Sequence, residues 1–138
     1  MLEQRNAGNV SDVGWQSVDK LVRLPVAEEE FLAHQGATPP AYASRRSFHR
    51  YYFRNKGILT RRGTSLGIYT TDLSRKGLGL LAPIQLFPMD RVTLRLDNGM
   101  ECQLEIVRCR RVDQDCYECG SRFVVGVRIN EIVPKEIA

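Results

Sequence analysis

Two short stretches concentrate the side chains with the most recognisable chemistry. The first, Arg45-Arg46-Ser47-Phe48-His49-Arg50, sets Arg46 and Arg50 apart as R-x-x-x-R, with Arg45 immediately before. A guanidinium is a planar fork that can meet two phosphate oxygens, or O6 and N7 of a guanine, at once, which an ammonium does less well. The second stretch, Asp72-Leu73-Ser74-Arg75-Lys76-Gly77, reads D-x-S-x-x-G. Its carboxylate can accept from base N–H groups, Ser74 offers a hydroxyl to phosphate or base, and Gly77 permits positive φ or close approach of backbone to a ligand. Each feature also has a plainer reading. The arginines can be solvated or pair with the acidic run Glu28–Glu30, and Asp72, Ser74 and Gly77 can simply build a turn.

The charge around these stretches is uneven. Residues 1–40 carry a net −3 and residues 41–138 a net +7, and within 41–76 nine Lys/Arg face only Asp72. Such a block attracts polyanions: nucleic acid, nucleotide, phospholipid or an acidic partner surface. Hydrophobic content of 43% and charged content of 26% in 138 residues fit one folded domain with a short appendage. No apolar run reaches the roughly 18–20 residues of a membrane helix, and the richest, Gly77–Met89, is broken by Pro83 and Pro88. The first residues lack the basic-then-apolar pattern of a secretory signal. A cytoplasmic home is therefore expected, with the four cysteines as free thiols.

The elements that must position the two stretches differ along the chain. Trp15, Val18, Leu21 and Val22 recur at spacings of three and four, which predicts a helix over Ser11–Leu24, stopped by Pro25; Ala27–His34 is a second short helix with acids in its first turn. Gly36–Pro40 is a linker, which puts a boundary between an N-terminal helical extension, 1–40, and a second unit, 41–138. From Arg50 the pattern is that of strands: Arg50–Leu59, Ser65–Thr71, Gly77–Ala82, Arg91–Asp97, Met100–Arg111 and Glu118–Ile129. Val92, Leu94 and Leu96 alternate with polar residues, and Asn98-Gly99 predicts a type I′ hairpin. Val112–Cys116 offers a second hairpin turn through Asp113 and Asp115. The expectation is an all-β chain: six meandering antiparallel strands closed into a small barrel, because closure removes exposed edges.

R-x-x-x-R leading into the first strand and D-x-S-x-x-G between the second and third resemble the two-part signature of PilZ domains, bacterial receptors for cyclic di-GMP. The resemblance spans roughly residues 41–129 and includes Tyr117–Phe123, similar to that family's penultimate motif region. It implies a six-stranded PilZ-like barrel in which Arg45, Arg46 and Arg50 wrap cyclic di-GMP while Asp72, Ser74 and Gly77 form the barrel-side wall. The arginine just before R-x-x-x-R, Arg45, further implies two mutually stacked ligand molecules. No cofactor is expected besides this ligand.

Other chemistry is not expected. Cys116 and Cys119 have zinc-knuckle spacing, but Cys102 and Cys109, seven apart on one strand, fall on opposite faces, and His34 and His49 have no helpful spacing. No nucleophile–base pair stands at recognisable spacing, so catalytic residues and enzymatic activity are not expected. The expected role is a cytoplasmic cyclic di-GMP receptor that changes conformation and signals to an unidentified protein partner. The rivals are an oligonucleotide-binding barrel stacking bases on Tyr51, Tyr52 and Phe53, for which the sequence offers less, and a ligand-free PilZ-like adaptor.

Overall fold

The computed structural model describes residues 12–36 and 50–124. In chain order the elements are α1 (Asp12–Gln16), β1 (Lys20–Leu21), α2 (Glu28–Leu32), β2 (Tyr51–Tyr52), β3 (Lys56–Arg61), β4 (Thr64–Leu73), β5 (Leu78–Ala82), β6 (Arg91–Leu96), β7 (Glu101–Asp113) and β8 (Cys116–Phe123). Strands β3 to β8 close on themselves in the order β4-β3-β6-β7-β8-β5, with β5 returning to β4, every pair antiparallel. This is the six-stranded barrel the strand pattern predicts. Among the described residues no helix is long and apolar enough to cross a membrane.

Alternation builds the interior. Val92, Leu94 and Leu96 of β6 point inward, as do Leu66 and Ile68 of β4, Leu78 and Leu80 of β5, and Leu104 and Ile106 of β7, all at most 3% exposed. Full burial of each such side chain contributes about 1.5–3 kcal/mol relative to exposure. Strand β5 is buried on both faces because its outward residues are covered too. Leu81 lies under a second apolar cluster made with Trp15, Val22, Phe31, Ile58, Tyr69 and Cys116.

That second cluster is how the N-terminal segment attaches, and it is not built by one long helix. After five helical residues the chain turns, and Lys20–Leu21 pairs in parallel with Leu66–Gly67 of β4. The amides of Asp19, Val22 and Arg23 donate to the carbonyls of Ser65, Gly67 and Asp115. The helix expected over Ser11–Leu24 therefore ends at Gln16, because an open edge of β4 offers Lys20 and Leu21 a ladder that local periodicity does not reveal. The second helix is Glu28–Leu32, inside the expected Ala27–His34.

The first expected strand, Arg50–Leu59, is likewise two pieces. Tyr51–Tyr52 pairs with Asp72–Leu73, the chain bends through Phe53–Asn55, and Lys56 starts the barrel strand β3. The Thr70 side chain makes the bend: its hydroxyl donates to the Phe53 carbonyl and accepts from the Asn55 amide, while the Thr70 amide donates to the Asn55 carbonyl.

Turn geometry corrects one further expectation. At Asn98-Gly99 only Gly99 has positive φ, 89°, and its amide donates to the Leu96 carbonyl, so the hairpin is a type I turn closed by a left-handed glycine. The turn with positive φ at both central residues is Arg62-Gly63, between β3 and β4. The β7–β8 hairpin turns at Gln114–Asp115, within the expected segment.

Candidate ligand-binding face

The second stretch sits where β4 leaves the barrel wall. Pairing of β4 with β5 slips between Thr70 and Asp72, so Thr71 is the extra residue of a bulge and Asp72 is re-aimed. Asp72 lies opposite Tyr52 on one side and Gly79 on the other. Its Oδ1 accepts from the Thr71 hydroxyl at 2.8 Å, and its Oδ2 holds Arg50 Nη1 at 3.2 Å. The two halves of the sequence signature, 22 residues apart, are thus joined by an ion pair on the outer barrel surface, its side chains 20% and 21% exposed. Arg45 and Arg46 lie outside the described residues.

Ser74 and Gly77 occupy the turn that follows. The Ser74 amide donates to the Gly77 carbonyl at 2.9 Å, and its buried hydroxyl accepts from the Lys76 amide at 3.3 Å. Gly77 faces the backbone of β8: a Cβ there would run into the Ser121 carbonyl and lie 2.7 Å from Arg122 Cα. The turn is therefore built by the residue types that the signature asks for, Ser74 by hydrogen bonding and Gly77 by having no side chain.

Continuing from Asp72 across the outer surface, the register reads Asp72, Gly79, Gly120, Arg108 over β4, β5, β8 and β7. The Asp72 carboxylate overhangs Gly79, and the Arg108 side chain lies across Gly120, with Nη1 2.9 Å and Cζ 3.0 Å from where a Cβ would be. A second bulge, between Ile106 and Arg108, re-aims the far end of the row as the first re-aims Asp72. Sequence reading passed over this floor. Its signal was two isolated glycines inside apolar strands, Leu78-Gly79-Leu80 and Cys119-Gly120-Ser121, a pattern that marks a bulge or a close approach.

Behind the row, Tyr52 connects the site to the N-terminal segment. The Tyr52 amide donates to the Gly36 carbonyl at 2.7 Å, and His34 meets its ring edge-on at 5.1 Å. The Arg54 guanidinium lies between the rings of Tyr52 and Phe31, 4.8 and 4.2 Å from their centroids, and donates to the Phe31 carbonyl. Phe53 belongs to the barrel core at 7% exposure. Stacking platforms at Tyr51, Tyr52 and Phe53 are thus reduced: Phe53 faces inward and the Tyr52 ring is already packed.

The thiols do not converge on a metal. Cys116 lies in the outer cluster and Cys119 in the barrel interior, because residues three apart on a strand face opposite ways. Among the described residues no group of three or more His, Cys, Asp or Glu is placed to hold a metal ion. The Ile106–Arg108 bulge shifts the alternation, so Cys102 and Cys109 both face the interior, contrary to the opposite faces expected from an unbroken strand. Cys109 stands directly across from Cys119, whose thiol donates to its sulfur at 2.9 Å.

Burial pushes the Cys102 thiol up to about 11, and burial together with the hydrogen bond to Cys109 pushes Cys119 up further. Both stay protonated where an unfolded chain begins to ionise, near pH 8.5, so unfolding releases protons and stability falls as pH rises past that point. In the native state at pH 8, alkylation of Cys102 and Cys119 is expected to lag that of the denatured protein by more than about tenfold, as thiolate is the reacting form. Peptide mass spectrometry of iodoacetamide-pulsed samples reads this directly; equal native and denatured rates would mean that these two sites open freely.

Comparison with curated proteins finds no significant match. The family model described as PilZ domain matches residues 44–136.

Proposed function

The chain belongs to the PilZ domain family, typically non-catalytic modules that bind cyclic di-GMP, and on that premise we propose that it is a cytoplasmic cyclic di-GMP receptor and not an enzyme. The observation that carries this reading is the ion pair between Arg50 and Asp72, which places a member of each half of the signature on one outer face. In the proposed mode Arg46 and Arg50 engage phosphate and guanine edges, with Arg45 serving a second, stacked ligand. Asp72 accepts from guanine N–H groups, Ser74 and Gly77 hold the turn beneath, and the ligand replaces part of the Arg50–Asp72 contact.

The output follows from Tyr52. Ligand that moves Arg50 and Asp72 pulls on β2, which is bonded to Gly36 and packed through His34 and Arg54 against the α2 region. The proposed response is a shift of the N-terminal extension, residues 1–40, relative to the barrel domain, 41–138, altering the surface offered to a protein partner. Only a difference in ligand affinity between the two arrangements can drive it. The four cysteines are free, as a reducing cytoplasm would keep them.

Calorimetric titration with cyclic di-GMP, with GTP and a short single-stranded DNA as controls, tests the reading. Selective saturable binding of the cyclic dinucleotide is expected, its stoichiometry reporting on Arg45. Absence of that binding, or tighter and steeply salt-dependent binding of the DNA, would overturn it. Hydrogen exchange of residues 12–36 unchanged by bound ligand would refute the switch.

A further inference from the structure

We propose that Arg108 is an additional ligand-binding arginine of this face, one that selects guanine over adenine from the side opposite Asp72. This rests on the receptor reading above and extends the site across two strands beyond the sequence signature.

Four observations carry it. First, the register places Asp72, Gly79, Gly120 and Arg108 in one row, the two positions between the carboxylate and the guanidinium being glycines, with the Thr71 hydroxyl beside Asp72 over the first of them. Second, β-bulges, which commonly re-aim side chains near functional sites, occur in this row at both ends and set the direction of Asp72 and of Arg108. Third, the Arg108 side chain, though exposed, is folded back onto the barrel. It lies back over Gly120, its Cγ 3.4 Å and its Nη1 2.9 Å from a would-be Cβ, so any side chain at Gly120 would displace it. Fourth, among the described residues this exposed guanidinium has no hydrogen bond or ion pair, whereas its neighbours Arg110 and Arg122 are held by Glu118 and Glu105. A positive group laid across a glycine floor, in one row with a carboxylate and bonded to none of the described residues, is disposed toward a ligand.

The chemistry of that ligand follows from the two ends. Opposed residues on one face of an antiparallel pair have Cβ positions about 4.5–5.5 Å apart, so a carboxylate over Gly79 and a guanidinium over Gly120 are separated by no more than roughly 10 Å. A purine lying flat on the two glycines spans such a gap. Guanine presents donors on its Watson–Crick edge, suited to Asp72, and the acceptors O6 and N7 on the adjoining edge, suited to an arginine fork. Adenine presents an amino donor where guanine has O6, and would set that donor against the Arg108 donors. The row thus discriminates by repulsion as well as attraction.

Titration of wild type, Arg108→Ala and Arg108→Lys with cyclic di-GMP and with cyclic di-AMP tests this. Both substitutions replace an exposed side chain with no hydrogen-bond or ion-pair partner among the described residues, so the fold is retained. Arg108→Ala is expected to weaken cyclic di-GMP binding by about tenfold or more while cyclic di-AMP binding does not fall, and lysine, lacking the fork, restores little of the loss. Wild-type affinity in Arg108→Ala overturns the proposal and leaves the receptor reading standing. Recovery by lysine with unchanged guanine preference also overturns it, since a point charge then suffices. Failure of the wild type to bind cyclic di-GMP removes the receptor reading and this proposal with it.

Discussion

Asp72→Ala is expected to weaken cyclic di-GMP binding by about 100-fold while the barrel stays folded. The carboxylate is aimed by the β4 bulge, held by the Thr71 hydroxyl at 2.8 Å, and itself holds Arg50 at 3.2 Å. Its removal takes away the acceptor for guanine N–H groups and the anchor of an arginine. One hydrogen bond to a charged group contributes about 1.5–3 kcal/mol, and about 2.7 kcal/mol corresponds to 100-fold. The fold loses far less, since a partly exposed ion pair contributes only about 1 kcal/mol or less. Selectivity falls with affinity: the face loses the Asp72 carboxylate, so weak binding of GTP survives while the preference for the cyclic dinucleotide does not. Calorimetry beside circular-dichroism melting separates these effects. An affinity within threefold of wild type would remove Asp72 from the ligand site.

Gly77→Ala is expected to act through the fold. The added methyl would collide with the Ser121 carbonyl and press on Arg122 Cα, both backbone atoms of β8 that no rotamer change can clear. Overpacking of this kind costs on the order of 3 kcal/mol. For a domain of this size that lowers the melting midpoint by about 10 °C. Ligand binding would be lost with it, so a binding defect in this variant is no measure of contact with the ligand. The check is the melting midpoint without ligand. A variant that melts like wild type yet fails to bind would return Gly77 to a direct role, as close approach of backbone to ligand was first expected.

The barrel was legible in the sequence where a single face decides the residue type. Strand β6 alternates strictly because one side is core, and its limits agree with the pattern to within a residue. What escaped was non-local. Lys20–Leu21 reads as helix on its own and becomes strand only because β4, over forty residues on, has an open edge. Arg50–Leu59 reads as one strand because nothing local announces that the Thr70 hydroxyl will claim the backbone of Phe53 and Asn55. Parity arguments failed at Cys102 and Cys109 for the same kind of reason: a bulge is a property of the pairing, and periodicity within one strand does not carry it. At the candidate site Arg50 and Asp72 stood out by type and spacing, whereas Arg108 did not. The floor between Asp72 and Arg108 consists of absent side chains, and its meaning depends on which strands become neighbours.

The docking of residues 12–36 through Trp15 has an optical consequence. Trp15 is the chain's single tryptophan. Its indole N–H donates to the Gly57 carbonyl at 3.2 Å, its ring meets Tyr69 edge-on at 5.3 Å, and the Lys56 ammonium lies 4.7 Å from the ring centre. All intrinsic indole fluorescence therefore originates at the junction between the N-terminal segment and the barrel, with no background from the core. Tyr69 sits in β4 a few residues before Asp72, so the fluorophore and the ligand face share one strand. Undocking would wet the indole and withdraw it from the nearby ammonium, shifting its emission to the red, whereas a ligand bound without undocking would leave the spectrum in place. The native chain thus carries an unlabelled reporter at the joint where the proposed motion would occur.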